Sequence, residues 1–220
     1  LESEDVLNTL KTIKKLGINY EKRGNIYYIE GFGLNGFNIK KKTILNAGNS
    51  GTLARLILGL LVKSKTQVKL IGDKSLSKRD FKRIADPLSK FGAKIKLKNK
   101  KKLPLTILGS QNLNPIKYVE KRGSAQCKSS VIMAAMRTPG TTIIKAKKSR
   151  NHTELLSKYL KLPLFVREKK YTDEIKVSKI DSIKPFNYNI PSDISSSAFF
   201  IVLTALTKNS KILIKNVNIN

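Results

Sequence analysis

Three clusters of small and polar residues each open onto a long apolar run. Asn46-Ala47-Gly48-Asn49-Ser50-Gly51-Thr52 precedes residues 53–62, Gly123-Ser124-Ala125-Gln126 precedes 127–136, and Pro191-Ser192-Asp193 precedes 194–206. Apolar runs of this length are longer than ordinary strands, so the pattern predicts three buried helices, each with a polar entrance. A β-rich segment follows each helix, at 67–71, 141–145 and 211–215, and reads as a strand. Shorter strands are predicted at 26–29, 105–108, 116–119 and 174–177.

After the first two strands an arginine leads into a segment with apolar groups at spacings of three and four. Arg79 precedes Phe81, Ile84, Leu88 and Phe91; Arg150 precedes Leu155, Leu156, Tyr159 and Leu160. Both segments predict amphipathic helices with one buried face. Val6, Leu10, Ile13 and Leu16, followed by Gly17-Ile18, repeat this second helix, as Phe91-Gly92-Ala93 does at its own end. Gly48, Gly123 and Ser192 mark equivalent points about 70 residues apart, a period too long for the common solenoids and suited to a duplicated subdomain. The expected architecture is an α/β domain of β-α-β-α-β-β units with mixed sheets, the chain starting and stopping inside a unit.

Composition narrows the chemistry. The 220 residues are 40% apolar, enough for a sizeable core. No apolar run reaches the roughly 18 residues of a membrane span, and Leu1-Glu2-Ser3-Glu4-Asp5 is too acidic for a secretory signal, so a cytoplasmic location is expected. A single cysteine, Cys127, and a single histidine, His152, support neither a disulfide nor a zinc site. The net charge of +29 favours nucleic acid or a small anion as partner. Lysines are spread over helix faces, alternating strand positions and loop tips, as on a solvated surface, and no RNA-binding signature accompanies them.

Helix N-termini carry unpaired N–H groups and the positive end of the dipole, so small-residue entrances admit phosphates and carboxylates. Gly51 allows close approach at the first entrance, with Asn49, Ser50 and Thr52 as donors; Ser124 and Gln126 serve the second. Ordinary capping explains the same residues and stays open as an alternative. No Walker loop or dinucleotide fingerprint is present. Arg79 and Arg150 occupy matching places in two units, and guanidinium can grip an oxyanion through two parallel bonds. Asn151 and Glu154 have capping-box spacing, which gives His152 a structural role; Cys127 reads as packing and Asp193 as an N-cap.

Residues 46–55, Gly72-Asp73-Lys74-Ser75-Leu76-Ser77-Lys78-Arg79, Leu103-Pro104-Leu105, 123–130, 149–154 and 191–199 together resemble the ordered motifs of the 5-enolpyruvylshikimate-3-phosphate synthase family. Arg150-Asn151-His152-Thr153-Glu154 is similar to the class that includes glyphosate-tolerant members. The resemblance implies the enolpyruvyl transferase fold, an inside-out α/β barrel, here incomplete and lacking both ends. Residues 1–190 would form most of one domain, with its first repeat truncated, and 191–220 the start of the second.

The resemblance also implies transfer of enolpyruvyl from phosphoenolpyruvate to shikimate 3-phosphate with release of phosphate, without metal or organic cofactor, by a protein that is monomeric when complete. Ser124, the Ala125 backbone, Gln126 and Arg150 would bind shikimate 3-phosphate; Gly51, Arg79 and Gln126 would bind phosphoenolpyruvate. The catalytic acid and base would lie outside this chain, so the isolated polypeptide is expected to be inactive. No membrane or nucleic-acid partner is expected. The rival readings are a UDP-N-acetylglucosamine enolpyruvyl transferase, for which Cys127 is badly placed, and a basic nucleic-acid-binding module.

Two departures stand out: Asp80 replaces the family's usual proline and could loosen the helix entrance beside Arg79, and Ser192 stands within the usual Pro-Gly-Asp. Gly51 falls where tolerant members often carry alanine, so the resemblance implies glyphosate sensitivity of the complete enzyme; turnover undiminished by millimolar inhibitor would refute this.

Overall fold

The structure is a computed structural model that describes residues 2–218. The chain divides into two compact units, residues 2–183 and 184–218.

The larger unit opens with α1 (Glu4–Lys15), β1 (Asn19–Arg23) and β2 (Ile26–Glu30). It continues with β3 (Ile44–Asn46), α2 (Gly51–Leu60), β4 (Val68–Ile71), α3 (Lys74–Lys78), α4 (Lys82–Lys90), β5 (Lys94–Lys98) and β6 (Lys102–Leu108). Then come β7 (Lys117–Glu120), α5 (Ala125–Ala135), β8 (Thr141–Lys147), α6 (His152–Tyr159), β9 (Leu164–Glu168) and β10 (Thr172–Ser178).

Two four-stranded sheets share one topology, β3-β4-β6-β5 and β7-β8-β10-β9. In each, the first pair is parallel and the others antiparallel. The repeated β-α-β-α-β-β order and the mixed sheets are thus as expected, apart from the additional short helix α3. The elements α1-β1-β2 copy the last three of each unit, with β1 and β2 paired as a hairpin. Strand alternation turns Thr142, Ile144 and Ala146 of β8 inward and leaves Lys145 and Lys147 in solvent; Lys94, Lys96 and Lys98 of β5 are likewise exposed.

Helices α2 and α5 lie in the interior, and α5 buries Lys128, Ser129 and Ser130 as well as its apolar residues. Contacts between the two helices advance together: Thr52 with Gln126, then Arg55 and Gly59 with Ser130. The helices therefore run parallel and bring both polar entrances to one end. A Cβ on Gly59 would stand 2.2 Å from the Ser130 carbonyl oxygen, and the Ser130 hydroxyl donates to the Arg55 carbonyl at 2.8 Å. Only glycine permits that approach.

In the smaller unit, α7 (Ile194–Leu206) starts at Asp193, whose carboxylate accepts the Ser195 N–H at 3.0 Å, the expected N-cap. Two expectations fail here. Helix α7 buries none of its residues; Phe199, Phe200, Leu203 and Leu206 are all well exposed. Residues 211–215 form no strand; the one link is a parallel bridge between Ser192 and Val217, because no neighbouring strand among the described residues offers a ladder. Ile219 and Asn220, read as the tail of that third unit, lie outside the described residues.

Candidate anion-binding site

The first entrance is built on a capped helix. Ser50 is buried, and its hydroxyl accepts the Leu53 N–H at 3.2 Å, so it caps α2. Asn49 does more than supply a donor: its amide donates to Asp73 at 2.7 Å and accepts from Arg79 Nη2 at 3.3 Å. Asp73 in turn caps α3, accepting the Leu76 N–H at 2.6 Å. Arg79 is the C-cap of α3, exposed, and aimed back across the start of α2. Asp80 accepts the Lys82 N–H at 2.8 Å, so its carboxylate orders the entrance to α4 that proline would otherwise stiffen.

Gly51 sits beneath two guanidinium groups. An added Cβ would meet Arg55 Nη1 at 2.7 Å and Arg79 Nη1 at 2.8 Å. Arg55 lies one helical turn beyond Gly51, with its guanidinium over the Phe81 ring and Nη1 donating to Gln126 Oε1 at 2.6 Å. Gln126 Nε2 donates to Thr52 at 2.7 Å. The Gln126 amide is therefore gripped by α2 while keeping one N–H free. Burial lowers the Arg55 pKa from its ordinary value, opposed by Cys127 and reinforced by Arg79 and Arg83. Guanidinium stays charged regardless, so like charges are held together where an oxyanion would relieve the repulsion.

At the second entrance Ser124 caps α5, accepting the Cys127 N–H at 3.3 Å, and its own N–H donates to Glu120 at 2.9 Å. Ala125 is the first helical residue, so its N–H lies among the groups that a helix leaves unpaired. Gly123, in the left-handed region at φ 69°, faces the Lys148 carbonyl oxygen at 3.3 Å from its would-be Cβ. The loop carrying Ser149 and Arg150 thus runs beside this entrance, and Arg150 is exposed on it.

The structure therefore gathers Gly51, Arg79 and Gln126 around Arg55, places Ser124 and Ala125 on the adjoining helix start, and brings the Arg150 loop alongside. The Asn151 and Glu154 capping box does not form. Asn151 makes no side-chain cap, and Glu154 is buried at 2.6 Å from the fully buried ammonium of Lys128, because an unpaired buried lysine is far costlier than an uncapped helix start. His152 is exposed at the first position of α6, and Cys127 is a buried free thiol in the core. Arg55, Arg83, Glu120 and Lys128 escaped the sequence reading. Only Arg55 left a local signal, its spacing of one turn from Gly51 on a predicted helix.

The arrangement sets two guanidinium groups and the unpaired N–H groups of two helix starts at one end of the paired helices, a geometry suited to an oxyanion. A family model described as EPSP synthase (3-phosphoshikimate 1-carboxyvinyltransferase) matches residues 1–220. The 3-phosphoshikimate 1-carboxyvinyltransferase of Caldicellulosiruptor bescii is 42% identical over 225 residues, covering 100% of this chain and 51% of the relative. That of Streptococcus agalactiae serotype III is 40% identical over 222 residues, again covering 100% of this chain and 51% of the relative. A structure of EPSP synthase from Acinetobacter baumannii superposes with a TM-score of 0.85 at 35% identity, covering 100% of this chain and 49% of that one. The chain spans about half the length of the curated relatives it matches.

Proposed function

We propose, from the premise that this chain belongs to the EPSP synthase family, that it supplies the anion-binding wall of an enolpyruvyl transferase acting on shikimate 3-phosphate and phosphoenolpyruvate. The carrying observation is the pair of parallel helix starts, α2 and α5, with the Arg55 and Arg79 guanidiniums lying over Gly51. In this reading Gly51, Arg79 and Gln126 hold the donor, while Ser124, the Ala125 amide, Gln126 and Arg150 hold the acceptor. Fixed cations and N–H dipoles act here without reorganising, which stabilises charge developing on the transferred group more than bulk water does. Residues 1–190 belong to the domain that carries this wall and 191–220 to the next, in a cytoplasmic protein. No helix among the described residues is long and apolar enough to cross a membrane.

Titration of this chain with shikimate 3-phosphate, and with phosphoenolpyruvate in its presence, tests the reading. Saturable binding of shikimate 3-phosphate with no binding of UDP-N-acetylglucosamine is the expected result. Preference for the nucleotide sugar, or binding only of DNA with a steep salt dependence, would refute it.

A further inference from the structure

Glu120 ends strand β7, and it is the one residue of that strand turned fully inward, at 4% exposure. One carboxylate oxygen accepts the Ser124 N–H at 2.9 Å; the other lies 3.4 Å from Nη2 of Arg83, on α4. Ser124 is the N-cap of α5, so its N–H has no partner within the helix, and the carboxylate supplies one at the positive end of the helix dipole.

A buried carboxylate beside an anion entrance would ordinarily repel the ligand. Arg83 removes that objection by pairing with it, and the charge-assisted contacts then tie β7, α4 and the start of α5 together. The Ser124 hydroxyl already accepts the Cys127 N–H, so its own proton remains free to donate outward. Neither Glu120 nor Arg83 needs to touch a ligand for this to matter, because the direction of the Ser124 hydroxyl and the Ala125 N–H depends on where α5 begins.

We propose that Glu120 is a positioning residue: with Arg83 it fixes the N-terminus of α5 and balances the charge behind the second anion entrance. The inference rests on the reading of that entrance as the shikimate 3-phosphate site.

The experiment titrates this chain and its Glu120→Ala, Arg83→Ala and double variants with shikimate 3-phosphate by calorimetry, and follows the Ser124 amide proton by NMR in the unliganded proteins. Each single variant is expected to bind about tenfold more weakly, as loss of one charge-assisted bond implies. The double variant should be no more than about twofold weaker still, since the two groups act as one unit. The Ser124 amide signal should move upfield in Glu120→Ala. Glu120→Gln, which keeps the shape and an acceptor for that N–H, should recover binding to within about threefold of the parent chain. If Glu120→Ala does not fold, Arg83→Ala carries the test, and unchanged affinity there overturns the proposal. Unchanged affinity in Glu120→Ala, or losses that multiply in the double variant, would overturn the role of Glu120 alone. Absence of binding by the unsubstituted chain would overturn the substrate reading and the positioning role with it.

Discussion

Arg79 stands in solvent at the end of α3, so its removal has no core to disturb. Arg79→Ala is expected to leave stability within about 0.5 kcal/mol of the parent while weakening phosphoenolpyruvate binding by roughly 10- to 100-fold, the loss of one to two charge-assisted bonds. Thermal melts and titration in the presence of shikimate 3-phosphate measure the two effects separately. Tyr118 shows a different residue-scale effect. Burial raises its phenol pKa well above the ordinary value, with Cys127 and Glu120 adding to the shift and Arg83 opposing it. The folded protein therefore holds a proton that the unfolded chain releases above about pH 10, so this contribution to stability is complete below pH 10 and declines above it. Tyr118→Phe should flatten the fall in stability between about pH 10 and 11; an unchanged slope in denaturant titrations would count against the assignment.

At the scale of elements, two contacts decide how α2, α5 and α6 pack. The first is the approach of Gly59 to the Ser130 carbonyl, where a methyl would meet backbone that cannot swing aside. Gly59→Ala should cost about 1–3 kcal/mol by overpacking, even though alanine is the better helix former, and denaturant melts will show which effect wins. The second is the buried pair of Lys128 and Glu154, which joins α5 to α6. The ammonium lies within ion-pair distance without forming a well-directed hydrogen bond, and Glu154 Oε2 has no protein partner, so the attraction does little more than offset the desolvation of two buried charges. Glu154→Ala should destabilise by about 3–5 kcal/mol through the abandoned charge, whereas Lys128→Met combined with Glu154→Leu should be nearly neutral. Equal losses in both would mean that the pair itself, rather than an orphaned charge, carries the stability.

For the whole molecule, the net charge of +29 and the division at residue 183 are the governing facts. Self-repulsion of that size is screened by salt, so melting temperature should rise as ionic strength goes from about 0.01 to 0.15 M. The 2–183 unit contains the whole hydrophobic core cluster, and a chain ending at Ile183 should keep a cooperative melt close to that of the full sequence. A non-cooperative melt would show that residues 184–218 contribute to that core's folding.

The repeat could be read from the chain because it is written in local signals: small-residue entrances, apolar runs and arginines at matching offsets, each needing only a helix or strand to make sense. The predicted strand at 211–215 failed for the converse reason, since its β-rich composition states a preference and a ladder requires a neighbour. The Asn151 and Glu154 capping box failed because Lys128, distant in sequence, claimed the carboxylate. Likewise the bonds from Arg55 to Gln126 and from Arg83 to Glu120 join residues 71 and 37 positions apart, and no local pattern announces them.

By itself the sequence determined where helices begin, which positions are apolar and which small residues could admit an anion, since propensity, periodicity and capping act over a few residues. Burial was another matter, for Leu155, Leu156 and Tyr159 of α6, read as a buried face, are exposed while Glu154 and Ser157 are buried. Only the tertiary structure decided that α2 and α5 lie parallel with their starts side by side, that Arg55 joins Arg79 above Gly51, and that Glu120 meets both the Ser124 N–H and Arg83. Those outcomes depend on close packing and on the desolvation of charge, which are settled by whatever the folded chain brings within a few ångströms.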